Sequence, residues 1–352
     1  DLIMNDGYLS VTPAQRSAGS HIAIDLFFRD LADVHKERAF CVVLSGAGSD
    51  GAVGLSRIKE QGGVTLVQTP EEAEFDSMPR AAIDTRMVDL VMPVAQMPQK
   101  LLELWHNAQT ITLPGANDPG LKTPLPEEQD AAKTERILQD ILLHLRTNTG
   151  HDFKHYKRAT VLRRIERRLQ VTAQPNLAAY YDYLQTHPEE NNALLGDMLI
   201  GVTNFFRDRE AFEALEREVV PNLVKSLRDS QPHREEIRIW SAGCSTGEEA
   251  YSVAILVSDQ LGLEATAAKV QVFATDIDER AIAVGRRGLY PGAIITDVPP
   301  QRLRQHFIKE GQNFRVHKEI RDKVLFAKHS LLQDPPFSQM DLIVCRYLLI
   351  YL

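Results

Sequence analysis

The run Trp240-Ser241-Ala242-Gly243-Cys244-Ser245-Thr246-Gly247-Glu248-Glu249 sets two glycines and two carboxylates where a strand-like stretch gives way to a helix-like one. Gly243 and Gly247 allow the backbone to pass close to a ligand with no Cβ in the way. Strand ends of this kind are where nucleotide-like ligands bind in α/β sheets. A phosphate-cradling loop ends in Gly-Lys and then Ser or Thr. Here Glu248 follows Gly247 and would repel phosphate. The run does not read GxGxxG either. A ligand without phosphates that carries positive charge fits better, and S-adenosylmethionine, with its sulfonium and ammonium groups, is one. The next strand-like stretch ends in Thr275-Asp276-Ile277-Asp278. An acid at the end of a second strand is placed to accept hydrogen bonds from ribose hydroxyls. The interval from Gly243 to Asp276 exceeds the roughly 20 residues of the dinucleotide fingerprint; a helix and a loop take up the excess. Either piece alone reads equally well as a structural turn or a helix-capping Asp. In this order they point to one cofactor site.

A second concentration of charge is basic. Lys154, Lys157, Arg158, Arg163, Arg164, Arg167 and Arg168 crowd one stretch, and Val161, Leu162, Ile165 and Leu169 give it an apolar face. Taken alone, such a run is most often a solvated helix face. It lacks the interleaved aromatics on which nucleic-acid bases stack, and the net charge of -8 disfavours nucleic acid as a general partner. The three cysteines, Cys41, Cys244 and Cys345, are far apart and show no CxxC spacing. That argues against both a disulfide framework and a zinc site. We expect a reduced, cytoplasmic protein. No stretch approaches the roughly 20 apolar residues that span a bilayer, and no signal-peptide pattern opens the chain.

These residues need elements to hold them. The 352 residues suggest two or three domains. Strand-like runs at Ala39–Leu44, Val64–Gln68 and Val88–Met92 alternate with helical ones, including Val53–Gln61, which implies an α/β region with a parallel sheet. Pro114, Gly115, Pro119, Gly120, Pro124 and Pro126 mark a Pro-containing linker from Asn107 to Lys133. Helical spacing follows, with Ile137, Ile141, Leu142 and Leu145, then Asp152–Gln170 and Leu177–Thr186. Alternation returns from Glu236: strands at Ile237–Trp240, Val270–Ala274, Val324–Ala327 and Leu342–Val344, and helices at Glu248–Leu261 and Glu279–Arg286. Phe314–Val316 and Val324–Phe326 read as a small antiparallel unit. The opening at Asp1 without Met and the stop inside the apolar run Ile350-Tyr351-Leu352 read as a fragment of a longer polypeptide.

With these motifs in hand, Asp152–Leu352 resembles the CheR family of chemoreceptor glutamate methyltransferases. The resemblance is carried by Phe153–Arg168, Val202-Thr203-Asn204-Phe205-Phe206-Arg207-Asp208, Ser241–Glu249, Thr275–Asp278 and Cys345-Arg346-Tyr347-Leu348-Leu349-Ile350-Tyr351. It implies cofactor roles for Thr203, Arg207, Gly243, Glu248, Asp276, Ser330, Leu331, Arg346 and Tyr347, and places Arg207 and Tyr351 nearest the transferred methyl group. S-adenosylhomocysteine is the implied product. The basic helix is similar to the family's receptor-docking surface, so Arg163, Arg164, Arg167 and Arg168 are the implied docking residues, opposite in charge to Glu-rich receptor helices. Two departures stand out: the family usually carries Asn where this chain has Tyr347, and often Asn where it has Gly201.

Asp1 to about Leu104 is similar to the C-terminal part of the CheB methylesterase domain, through Ala23-Ile24-Asp25, Leu44–Gly51 and Met78-Pro79-Arg80-Ala81-Ala82-Ile83. Asp50 matches the family's triad Asp, whose part in such a triad is to orient the His and stabilise its cation. Neither Ser20 nor His21 matches the family's other two positions, so no esterase activity is expected of this chain. The implied fold class is α/β: a partial parallel-sheet esterase domain (1–105), a linker (106–133), a small helical domain (134–228) and an incomplete Rossmann-like methyltransferase domain (229–352). The implied partners are a methyl-accepting chemoreceptor-like protein and a sensor kinase module in the same polypeptide. Two rival readings stay open: a non-catalytic signalling scaffold whose cofactor site Tyr347 blocks, and a small-molecule methyltransferase.

Overall fold

The computed structural model describes residues 2–5, 8–11, 22–110, 128–229, 236–262 and 269–352. The chain forms two compact units, Asp1–Ile200 with Tyr351–Leu352, and Gly201–Ile350. Ser20, His21 and most of the expected linker lie outside the described residues.

The first unit begins with a hairpin, β1 (Leu2–Asn5) and β2 (Tyr8–Val11). There follow α1 (Ala23–His35), β3 (Phe40–Val43), α2 (Ala52–Glu60), β4 (Val64–Gln68), α3 (Ser77–Asp84), β5 (Leu90–Met92) and α4 (Met97–Thr110). Strands β3, β4 and β5 pair in that order, all parallel. Every residue of β4 is buried, as expected of a central parallel strand covered on both faces. One face packs Cys41, Val43 and Val67 against Phe28, Ala32, Leu55 and Ile58 of α1 and α2. The other packs Val64 and Leu66 against Leu104 of α4 and against Val171, which belongs to the helices that follow.

Those helices are α5 (Glu128–Thr149), α6 (Arg158–Thr172), α7 (Leu177–Thr186) and α8 (Pro188–Met198). The expected linker is shorter than the composition implies. α4 runs on to Thr110 and α5 starts at Glu128, where Glu, Gln, Ala and Lys favour helix. The expected helix over Asp152–Gln170 starts only at Arg158. Asn176 caps α7 by accepting the Ala179 N–H at 3.0 Å.

The second unit contains α9 (Arg209–Ala214), a π-helical turn at Leu215–Val219, α10 (Val220–Asp229), β6 (Glu236–Ala242), α11 (Glu248–Leu261), β7 (Lys269–Asp276) and α12 (Glu279–Arg287). β8 (Leu289–Pro291), α13 (Pro300–His306), β9 (Phe307–Glu310), β10 (Asn313–Val316), α14 (Lys318–Arg321), β11 (Val324–Lys328) and β12 (Leu342–Val344) complete it. The main sheet has the order β11-β7-β6-β12, all parallel. The chain builds outward from β6 and then returns to its other side, so β6 borders the point where strand order reverses. Ligands bind at that point, outside the carboxyl ends of the strands.

One expectation is corrected. Phe314–Val316 does not pair with Val324–Phe326. Instead β10 lies between β8 and β9 in a three-stranded antiparallel sheet, while β11 joins the parallel sheet beside β7. In sequence the two compact units divide after Ile200. Phe205, Phe206, Phe212, Val220 and Val224 share one core with Ile239, Tyr251 and Val272, which ties residues 201–229 to the second sheet.

Candidate functional site

The glycine loop leaves the end of β6 and turns directly into α11. Gly243 and Gly247 have φ of +75° and +96°, a left-handed region that an ordinary side chain enters only with strain. The N–H groups of Gly243 and Cys244 both donate to the Thr275 carbonyl, at 2.8 and 2.9 Å, fastening the loop to the end of β7. Ser245 N–H donates to Asp276 Oδ2 at 2.8 Å, and Asp278 N–H donates to Asp276 Oδ1 at 3.0 Å. Asp276 is thus fixed by one backbone donor per oxygen, and each oxygen keeps a second lone pair for a ligand hydroxyl. Burial raises its carboxyl above the ordinary value, against the lowering effect of those N–H groups.

Glu248 opens α11 and is buried. Its Oε2 accepts from Thr246 Oγ1 at 2.6 Å. Burial pushes its carboxyl up to about 7, because the thin lowering effect of Thr246 and the helix backbone does not replace lost water. Glu249 Oε1 accepts from Ser241 Oγ at 2.9 Å and Glu249 Oε2 lies 3.8 Å from Arg346.

The segment before α9 reaches the same place. Ser245 Oγ donates to the Gly201 carbonyl at 2.8 Å, and Phe206 N–H donates to Ser252 Oγ at 3.0 Å. Arg346 and Tyr347 follow β12. Arg346 Nη2 donates to the Arg207 carbonyl at 2.9 Å and to Asp208 Oδ2 at 2.5 Å. The Tyr347 hydroxyl donates to that same Asp208 oxygen. The Arg207 guanidinium carbon lies 3.9 Å from the centre of the Tyr347 ring. Phe206, Asp208, Ser245 and Tyr347 all have positive φ. Strained backbone of this kind concentrates at ligand sites, and here four such residues converge on one strand-end cluster.

Of the residues singled out by sequence, Arg207, Gly243, Glu248, Asp276, Arg346 and Tyr347 therefore come together at the carboxyl ends of β6, β7 and β12. Thr203 is part-buried in the irregular segment that leads to Arg207. Ser330 and Leu331 lie just past the same end of β11, where Ser330 N–H donates to Asp334 Oδ2 at 2.7 Å. Tyr351 belongs to the first unit, and its carbonyl accepts from Lys157 N–H at 2.8 Å. Sequence reasoning assigned no role to Asp208, although it follows Arg207 directly. The signal available was an acid next to the cation that the resemblance placed at the reacting end.

The arginines expected to dock a receptor, Arg163, Arg164, Arg167 and Arg168, lie on α6 of the first unit. Arg164, Arg167 and Arg168 are 2 %, 2 % and 6 % exposed and are engaged inside the first unit. Arg163 alone of the four is exposed. In that unit Asp50 Oδ2 accepts from Ile24 N–H at 3.1 Å and Asp50 Oδ1 from Asp25 N–H at 2.9 Å, so both of its oxygens cap the start of α1. Among the described residues no cluster of His, Cys, Asp and Glu could hold a metal ion, and no helix is long and apolar enough to cross a membrane.

The residues present suit S-adenosylmethionine. Glu248 is a buried carboxyl that a cation would relieve, Asp276 is pre-oriented for hydroxyls, and the loop places no lysine where a phosphate would need one.

Comparison with known proteins gives three family matches along the chain: CheB methylesterase over residues 2–101, the CheR methyltransferase all-alpha domain over 137–199 and the CheR methyltransferase SAM binding domain over 201–352. The break between the last two coincides with the boundary between the compact units. An uncharacterized 104.1 kDa protein of Rhodobacter capsulatus is 35% identical over 357 residues, which cover 98% of this chain and 37% of that protein. A chemotaxis protein methyltransferase of Listeria innocua is 31% identical over 211 residues, covering 59% of this chain and 75% of the relative. A crystal structure of the Thermotoga maritima CheB methylesterase catalytic domain is 27% identical, with a TM-score of 0.27, over 29% of this chain and 56% of that one.

Proposed function

Because the chain belongs to the CheR methyltransferase family, we propose that it is an S-adenosylmethionine-dependent protein-glutamate O-methyltransferase acting on a methyl-accepting chemoreceptor-like protein. The observation that carries this reading is the meeting of Arg207, Glu248, Asp276, Arg346 and Tyr347 at one strand end, beside the reversal of strand order.

In this reading Asp276 holds ribose hydroxyls, Glu248 faces the cationic end of the cofactor and the Gly243–Gly247 turn lets the backbone lie close. When bound, S-adenosylmethionine supplies a methyl group on a positive sulfur, and S-adenosylhomocysteine is the product. A substrate glutamate is already ionised at neutral pH, so the chain needs no strong base. Its work is to hold the carboxylate oxygen in line and exclude water. Arg207 orients that carboxylate. In the full-length protein the CheB-like region would remove the same ester. In this chain neither Ser20 nor His21 matches the family's other two triad positions, and we expect no ester hydrolysis.

The Tyr347 ring over Arg207 favours a second reading, a signalling scaffold whose cofactor site is closed. Calorimetric titration of S-adenosylmethionine into Asp1–Leu352 and into Tyr347→Asn, both checked for folding, separates the two. Binding by the parent supports the enzyme, to be followed by methyl transfer to a Glu-rich receptor fragment. Binding only by the Asn variant makes the chain a scaffold.

A further inference from the structure

The basic face of α6 is turned onto the CheB-like region of the same unit. Arg164 Nη1 donates to the Glu60 carbonyl at 3.1 Å. Glu60 ends α2, where the negative end of the helix dipole attracts a cation. Arg167 Nε donates to the Gly63 carbonyl at 3.1 Å, and its two terminal nitrogens fork to Asp89 and Asp197. Asp89 immediately precedes β5 and also accepts from Thr65 N–H at 2.9 Å. Lys59 Nζ lies 3.0 Å from Asp89 and 3.2 Å from Asp197. Arg168 forms a bidentate pair with Glu190, both bonds at 2.7 Å.

Three cations, Lys59, Arg167 and Arg168, thus meet three carboxylates, Asp89, Asp197 and Glu190, with side-chain exposures from 0% to 8%. A buried set of charges is tolerable only when it is fully paired, and removing one member leaves an uncompensated charge. Burial alone would raise the Asp89 carboxyl, yet Arg167 and Lys59 hold it below the ordinary value. Asp197 behaves the same way. Around the charges, Val171 of α6 closes over Val64 and Leu66. The arrangement is neutral, buried and shared by residues far apart along the chain, Arg167 and Asp89 being 78 positions apart.

We propose that the CheB-like region is the resident acidic partner of helix α6, with Asp89 occupying the guanidinium of Arg167 that an acidic protein would otherwise engage. The region then has a function that needs no ester hydrolysis. It withdraws Arg164 and Arg167 from outside partners, while Arg168 is held by Glu190 within the helices, and of the four candidate docking arginines only Arg163 is left for an acidic surface. This assignment does not rest on cofactor chemistry.

Arginine footprinting of the whole chain with phenylglyoxal, read by mass spectrometry with and without a Glu-rich helical peptide, tests it. Modification of a buried guanidinium requires local opening. Arg163 should react at least about tenfold faster than Arg164, Arg167 and Arg168, and the peptide should slow Arg163 only. Arg167 reacting as fast as Arg163, or being slowed by the peptide, overturns the proposal. In a folded Asp89→Asn variant, Arg167 should react faster by about tenfold or more, with Arg163 unchanged. An unchanged Arg167 rate in that variant also overturns it. Should the variant not fold, the parent footprint decides alone.

Discussion

The Arg207 guanidinium carbon sits 3.9 Å from the centre of the Tyr347 ring, and the hydroxyl of that ring donates to Asp208, the next residue after Arg207. One side chain from the exit of β12 therefore fixes both the cation and its neighbouring acid. Where the family usually carries Asn, this chain has a platform. A cation over an aromatic face is worth about 0.5–2 kcal/mol. Tyr347→Phe keeps the platform and loses the bond to Asp208, whereas Tyr347→Asn loses both. We expect the Asn variant to lower kcat for methyl transfer by roughly threefold to thirtyfold with a smaller change in cofactor Kd, and the Phe variant to fall between it and the parent. A Kd that tightens in the Asn variant with kcat unchanged or raised would show that Tyr347 obstructs the site.

Glu248 gives the site a pH dependence. Burial pushes its carboxyl up to about 7, so below that pH it is mostly neutral. A cationic ligand favours the ionised form and releases the proton on binding. Affinity for S-adenosylmethionine should rise from pH 6 to 7.5 and then level off. Titrations at pH 6 in two buffers of different ionisation heat should report close to one proton released. Glu248→Gln should remove that dependence and weaken binding by about tenfold. An affinity independent of pH over this range would mean that Glu248 does not face the cation.

What the sequence disclosed divides by distance along the chain. The expected β4, α7, α11 and β12 coincide with the observed spans, Val64–Gln68, Leu177–Thr186, Glu248–Leu261 and Leu342–Val344. Each is written in local pattern: a short apolar run, or a cap followed by helical spacing. The strand-end cluster of Gly243, Glu248 and Asp276 was equally legible, because the order of loop and acid along the chain fixes it. The fate of the basic helix was not. Arg164 and Arg167 find their carbonyls 104 residues away, and Asp89 lies 78 residues from Arg167. No periodicity records such partners, and a cation that will be buried has the same side chain as one that stays in water. Strand pairing failed for the same reason: Phe314 and Val324 are adjacent candidates, but their registers are set by Tyr290 and Val272.

In the first unit Asp25 is buried beside Asp50, and its Oδ1 accepts from Gly54 N–H at 2.7 Å. Burial raises its carboxyl to about 6, the Gly54 bond lowers it and the nearby Asp50 charge raises it again. The folded value lies above the ordinary value of 3.8. Its favourable contribution is therefore complete below the unfolded value and is lost as pH rises through about 6. Asp25→Asn keeps an acceptor for Gly54 and never ionises. Urea unfolding should find the Asn variant more stable than the parent at pH 8, by up to roughly 3 kcal/mol, with the gap closing toward pH 5. A gap that widens on acidification would contradict this account. Asp50→Ala should cost about 1 kcal/mol through loss of the α1 cap, and neither variant should alter hydrolysis of a glutamyl methyl ester, expected at background level throughout.

Gly247 separates backbone strain from crowding in the cofactor turn. Its φ is +96°, and a Cβ there would lie 2.7 Å from two carbons of the Phe326 ring and 3.2 Å from Gly285 Cα. Phe326 is itself buried between α12 and α11 side chains, so it has little room to give. Gly311, in the same unit, also has positive φ, but a Cβ there would meet nothing within 4 Å. Gly311→Ala should cost only the backbone penalty, about 1 kcal/mol. Gly247→Ala adds overpacking of roughly 1–3 kcal/mol and shifts the turn whose Ser245 N–H holds Asp276. It should therefore lower the unfolding midpoint of the second unit more than Gly311→Ala does, and weaken cofactor binding as well. Equal destabilisation by the two substitutions would show that Phe326 moves aside freely and that the glycine is kept for its backbone alone.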